Sequence, residues 1–208
     1  MSNAYLIYCR AGFEKEATAE LQHFATINHW QGYVKSKADS AYVLFCGEDL
    51  PTTGKQAPQW RDLVFARQLL FLKHHEPLKL NAEDRISPLL AACDGMFYQD
   101  VVFEGADTND GKSLAGFFKS FAPAFNAVLK KRTLLRKKAE QRLHLFFLDS
   151  TTVYVGYSQI NNSSPWPMGV PRLRFPKDAP SRSTLKLEEA FHYYLDEQTQ
   201  QEWLREGM

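Results

Sequence analysis

Ala4-Tyr-Leu-Ile-Tyr-Cys-Arg10 is short, aromatic and aliphatic, which predicts a strand buried on both faces. Ala11-Gly12 turns it into a helix over about Phe13–Ile27, because Phe13, Ala17, Leu21 and Phe24 recur on one stripe at the helical period. Trp30–Ser36 and Ala41–Cys46 read as two more strands, with polar residues around Asp39 making a hairpin turn between them. Leu50–Gln59 holds two prolines and a glycine and reads as a loop; Leu63–Leu72 is then a strand, or a helix leading into one. The order β-α-β-β-(α)-β fits the α+β class, with a ferredoxin-like domain over residues 1–78. A four-stranded sheet of other connectivity has the same element order. His74 and His75 follow, and adjacent histidines at a strand end face opposite sides, so they do not share a metal and none is expected.

A second unit is expected over residues 79–160. Asp84–Cys93 is a helix that tolerates Pro88 only in its first turn. Phe97–Glu104 is a strand and Asp107–Gly111 a polar turn. From Lys112 the residues Leu114, Phe117, Phe118, Phe121, Phe125, Val128 and Leu129 recur at helical spacing, so the phenylalanines form core rather than a base-stacking platform. Pro123 is expected to kink or divide that helix. Leu143–Asp149 and Thr152–Gln159 make a closing hairpin. Residues 161–182 hold five of the ten prolines, together with Arg172, Arg174, Lys177 and Arg182, the composition of an extended, semi-rigid basic linker. One further amphipathic helix begins at Ser183.

The totals narrow the function. Hydrophobic residues at 44% and charged residues at 24% are a globular balance. Three scattered cysteines (Cys9, Cys46, Cys93) with no paired spacing argue for a reducing compartment and against a zinc site. No apolar run approaches the ~20 residues that span a bilayer, so a monomeric cytoplasmic protein without membrane contact is expected.

The net charge of +1 hides a polarised distribution: Gly111–Lys186 holds fourteen Lys or Arg against three acids. Within it, Lys130-Lys-Arg-Thr-Leu-Leu-Arg-Lys-Lys-Ala-Glu-Gln-Arg142 is cationic at seven of thirteen positions. The helix dipole accounts for cations at a helix end, which covers Lys130, Lys131 and Arg132. It does not account for Arg136, Lys137, Lys138 and Arg142 beyond that end. Phosphate contact does, which makes a nucleic acid the simplest partner.

Gly169-Val-Pro-Arg-Leu-Arg-Phe-Pro-Lys-Asp-Ala-Pro-Ser-Arg-Ser-Thr-Leu-Lys-Leu-Glu-Glu-Ala-Phe-His192 closely resembles the connector and first catalytic-domain helix of the RlmM family, bacterial large-subunit rRNA ribose 2′-O-methyltransferases. Arg10–Glu16, Phe65–Gln68, Glu83–Ile86, Ala106–Asn109 and Gly156–Ser158 resemble that family at matching positions. The resemblance implies a ferredoxin-like domain joined to a THUMP RNA-binding domain, a cytidine of 23S rRNA as target and S-adenosylmethionine as methyl donor. The shorter pattern Ser181–Leu187 is similar to FtsJ-like methyltransferases, whose Lys-Asp-Lys-Glu tetrad would begin at Lys186, with Ser183 near the cofactor. A lysine suits the chemistry, since a ribose hydroxyl must be oriented and polarised before it accepts a methyl group.

The Gly-rich turn of a Rossmann methyltransferase domain and the other tetrad members have no counterpart, so residues 183–208 read as the start of a cofactor domain otherwise absent. The expected function is therefore the RNA-binding N-terminal part of such an enzyme, binding no cofactor and inactive by itself. Two alternatives are a self-contained small-molecule enzyme, for which the sequence offers no Ser-His-Asp set, metal spacing or phosphate loop, and a protein-interaction scaffold.

Overall fold

In the computed structural model, which describes residues 3–175, 181, 183–195 and 197–206, the opening stretch is strand β1 (Asn3–Tyr8), buried along all but its first residue. Helix α1 (Glu14–Ile27) buries Ala17, Leu21 and Ala25 and packs on β2 (Gly32–Ser36) and β3 (Tyr42–Gly47). Glu14, the first residue of this helix, is buried, and its carboxylate accepts from the Gly12 N–H at 3.1 Å and the Ala41 N–H at 2.8 Å. Burial pushes the carboxyl up, but the Ala41 and other backbone N–H groups outweigh it and hold it below the ordinary glutamate value. One side chain thus ties the β1–α1 turn to the start of β3.

After a 3-10 turn at Trp60–Asp62, strand β4 (Gln68–Leu72) completes the order β2-β3-β1-β4, antiparallel throughout. This is the ferredoxin-like arrangement, with the second helix reduced to that 3-10 turn. The span Leu63–Leu72 is accordingly strand only from Gln68.

The same sheet continues. Short β5 (Leu78–Lys79), α2 (Ile86–Cys93), β6 (Val101–Gly105), α3 (Asn109–Ser113), α4 (Ala115–Lys131), β7 (Gln141–Asp149) and β8 (Thr152–Gln159) follow. Strands β8, β7 and β6 extend the order from β4, with β6 parallel to β7 and β5 paired to β8. The fold is mixed α/β around a single eight-stranded sheet.

β4 and β8 meet through Phe71 opposite Tyr157 and Leu72 opposite Gly156. A Cβ on Gly156 would stand 2.6 Å from Leu72 Cδ2 and 2.9 Å from the Phe71 carbonyl, so the missing side chain permits the strands to pair. β7 serves two cores by the period-2 rule. Leu143, Leu145 and Phe147 join α2 and α4 residues on one face, while Phe146 joins Leu6, Tyr8, Leu44 and Leu70 on the other.

Three local expectations change. The strand expected from Phe97 begins at Val101; before it Tyr98 makes an isolated bridge to Leu135, and Gln99 and Asp100 exchange backbone hydrogen bonds with Gln141 and Leu143. The polar turn at 107–111 is the start of α3, because Thr108 caps it by accepting from the Gly111 N–H at 3.1 Å. Pro123 sits inside α4 without dividing it.

The proline-rich stretch also starts differently. Residues 161–169 belong to a compact unit spanning 1–169, and a second unit spans 170–208. Asn162, Ser164 and Met168 are hydrogen-bonded to earlier loops and strands, which is why a stretch read as linker from 161 is part of the first unit. Among its described residues the second unit carries two helices where one was expected, α5 (Ser183–Tyr194) and α6 (Glu197–Glu206).

Candidate nucleic-acid interface

The amphipathic face of α4 buries Phe125 and Leu129, and its phenylalanines stack along the helix, Phe117 on Phe121 at 5.1 Å and Phe121 on Phe125 at 5.9 Å. That face turns the helix's end outward, leaving Lys130 and Lys131 exposed. The chain reverses at Thr133, which takes φ 55° while the Leu134 N–H donates to the Leu129 carbonyl and the Thr133 N–H to that of Lys130. This is a Schellman-type close in which a threonine occupies the left-handed position usually given to glycine.

Leu134 and Leu135 then pack on the core beneath. Tyr98 holds this return segment through its N–H to the Leu134 carbonyl and its carbonyl to the Arg136 N–H. Arg136, Lys137 and Lys138 remain exposed, as does Arg132. The Arg136 guanidinium lies over the Phe97 ring, 3.1 Å from its centroid, and Phe97 is itself 42% exposed.

Arg142 behaves otherwise. Its guanidinium grips Asp100 in a fork, Nε to Oδ1 at 2.7 Å and Nη2 to Oδ2 at 2.9 Å. The Asp100 hydrogen bond strengthens its hold on the proton. Its charge is answered by Asp100 in a partly exposed pair, so the unpaired basic run ends at Lys138.

In the second unit, Arg172 and Arg174 are exposed, and so are Ser183 and Lys186 on the first turns of α5. Lys177 and Arg182 lie outside the described residues. His74 and His75 lie in a bend after β4, with His75 Nε2 3.2 Å from Glu76. Among the described residues no group of three potential ligands is placed to hold a metal ion.

The structure also assembles a constellation that spacing does not reveal. Ser158 Oγ lies 2.8 Å from His144 Nε2, and His144 Nδ1 lies 2.9 Å from Glu104 Oε2. The same carboxylate accepts from the Tyr8 hydroxyl at 2.7 Å and the Met168 N–H at 2.7 Å. These are the distances of a nucleophile, base and orienting acid, yet Ser158, His144 and Glu104 are 3%, 1% and 4% exposed. Buried this far, the set is a satisfied polar core. Burial pushes the Glu104 carboxyl up; His144, the Met168 N–H and Tyr8 more than offset that and hold it below the ordinary value. An ionised Glu104 only accepts, so His144 carries its proton on Nδ1.

Other segments singled out by resemblance meet at the same seam. Arg67 pairs with Asp107 at 2.9 Å. Gln68 bonds both the N–H and the carbonyl of Ser164. Gly169, at φ 66°, lies where a Cβ would strike the Arg67 carbonyl.

Comparison with known proteins accords with this architecture. Residues 1–70 match the RlmM ferredoxin-like domain, and residues 84–159 match the N-terminal region of ribosomal RNA large subunit methyltransferase M. Proteins named ribosomal RNA large subunit methyltransferase M are 43% identical over 93% of this chain in Cellvibrio japonicus and 42% identical over its full length in Yersinia enterocolitica. The chain spans 56% and 58% of the length of those relatives. Among solved structures, TrmN from Thermus thermophilus matches 80% of this chain and 47% of its own, with a TM-score of 0.44 at 13% identity, too loose a likeness to carry an argument. No helix among the described residues is long and apolar enough to cross a membrane.

Proposed function

The chain belongs to the ribosomal RNA large subunit methyltransferase M family, and from that premise we propose that it is the RNA-binding part of a ribose 2′-O-methyltransferase acting on a cytidine of large-subunit rRNA. The observation that carries the reading is the loop from Lys130 to Lys138. It presents six cations to solvent, holds one of them over an exposed aromatic ring, and turns its leucines into the core. Such a surface attracts phosphate by counterion release and offers a base a stacking face. Residues 79–160 correspond in this reading to a THUMP-like domain, and Arg172, Arg174, Lys177 and Arg182 are proposed as further phosphate contacts.

Lys186 is the proposed tetrad member, orienting the ribose hydroxyl, and Ser183 the residue beside S-adenosylmethionine. No residue of α5 is buried, so Ser183 and Lys186 do not by themselves enclose that cofactor. The test is titration against a large-subunit rRNA fragment at several salt concentrations. Binding that weakens steeply with salt is expected; no binding at low salt, or binding indifferent to salt, overturns the reading.

A further inference from the structure

Between the loop that precedes the 3-10 turn and the end of β8 lies a cavity of about 460 Å³, within the roughly 300–1,000 Å³ of small-ligand sites. Its walls carry amides from three separate segments: Gln59, Gln99, and the Gln159–Asn162 stretch. Asn162 is committed to the fold, accepting from the Trp60 N–H and donating to the Pro58 carbonyl. The side-chain amides of Gln99, Gln159 and Asn161 have no hydrogen-bond partner among the described residues. Lys138 and Glu140 complete the wall. Gln99 stands two residues from Phe97 with buried Tyr98 between them, and Lys138 stands two residues from Arg136, so the Arg136–Phe97 pair lies close along the chain to two residues of the cavity wall.

We propose that this cavity receives one unpaired nucleotide of the bound RNA, an assignment that rests on the RNA-binding reading above. An amide donates and accepts at once, so Gln99 and Gln159 can meet the Watson–Crick edge of a base, which is open only when the base is unpaired. Lys138 holds the adjoining phosphate. The Glu140 carboxylate accepts from a base amino group or a ribose hydroxyl. The Arg136–Phe97 pair is the stacking surface for the neighbouring base.

The test uses the whole chain and two RNAs of equal length, a single strand and a blunt hairpin whose nucleotides are all paired in the stem and whose loop is a non-nucleotide linker. Wild type should prefer the single strand. Gln99→Ala with Gln159→Ala, and separately Phe97→Ala, should weaken single-strand binding about fivefold to a hundredfold, the span set by one bound base. Both should leave hairpin binding, salt dependence and the unfolding midpoint unchanged. Lys130→Glu with Lys131→Glu should weaken both RNAs alike.

If the lysine variant loses both RNAs while the amide variant binds like wild type, the cavity assignment is overturned and the RNA-binding reading stands. The assignment is equally overturned if wild type shows no preference, or if the amide variant loses both RNAs equally. If wild type binds neither RNA, both readings fall.

Discussion

The loop from Lys130 to Lys138 and the seam between β4 and β8 are both rich in polar groups, and they use them in opposite ways. At the seam each polar group is answered inside the protein: Glu104 by Tyr8, His144 and Met168, Gln68 by Ser164, and Arg67 by Asp107. On the loop the cations face water, and apart from the stack on Phe97 their charge stays available to a partner. Buried polar groups left unanswered cost several kcal/mol, whereas an exposed lysine contributes almost nothing to folding. The seam's polar groups therefore serve stability, while the loop's charges add little to it. Arg142 marks the border, a cation of the basic run taken into the fold by Asp100.

Substitutions should separate the two regions. The largest effect is expected from Glu104→Ala, which strands His144, the Tyr8 hydroxyl and the Met168 N–H together. A loss of about 3–5 kcal/mol is expected in urea unfolding, the cost of breaking a buried pair from one side, and Glu104→Gln should lose less. A loss below 1 kcal/mol would mean the seam is not the stabilising region.

The same carboxylate gives a pH signature. Its folded pKa lies below the ordinary value of 4.5, so its contribution is complete above that pH and disappears as pH falls through the folded value. Wild-type stability should thus fall below about pH 4.5, and Glu104→Gln should flatten that fall. Identical acid limbs would assign the loss to other carboxylates, such as Asp107 with Arg67 beside it.

Next in size is Gly156→Ala. The added methyl meets Leu72 and the Phe71 carbonyl, with an expected cost of about 1–3 kcal/mol and protection lost first at β4–β8 amides in hydrogen exchange. On the loop, Lys137→Glu with Lys138→Glu should leave unfolding within about 0.5 kcal/mol of wild type. It should reduce the salt slope of RNA binding by about 0.7–0.9 for each phosphate left without its cation. Reversal at Lys35 and Lys37 should weaken binding less, since Lys35 already pairs with Glu76 at 2.7 Å; equal effects would erase the localised footprint.

The smallest effect is reserved for Arg142→Ala, with a stability loss of about 0.2–1 kcal/mol for a half-exposed pair. Its effect on RNA binding should be less than that of either loop lysine.

Much of this was legible in the chain. The β1 stretch, the α1 stripe and the hairpin around Asp39 announce themselves because burial imposes periods of 2 and 3.6 on adjacent residues. The phenylalanine run of α4 declares its core face in the same way, and Lys130–Lys138 stands out by composition alone. The seam was not legible. Tyr8, Glu104, His144 and Ser158 are separated by up to 150 residues of chain, and no local period connects them. For the same reason Arg142 reads as one more cation until Asp100 is seen beside it, and residues 161–169 read as linker until Gln68 and Glu104 are seen to hold them.

The sequence by itself determined most of the elements, the family and the run of positive charge, since these rest on neighbours along the chain. Only the tertiary structure decided which polar residues are available. Availability depends on partners brought together by β4 pairing with β8, and that pairing rests on the absence of a side chain at Gly156.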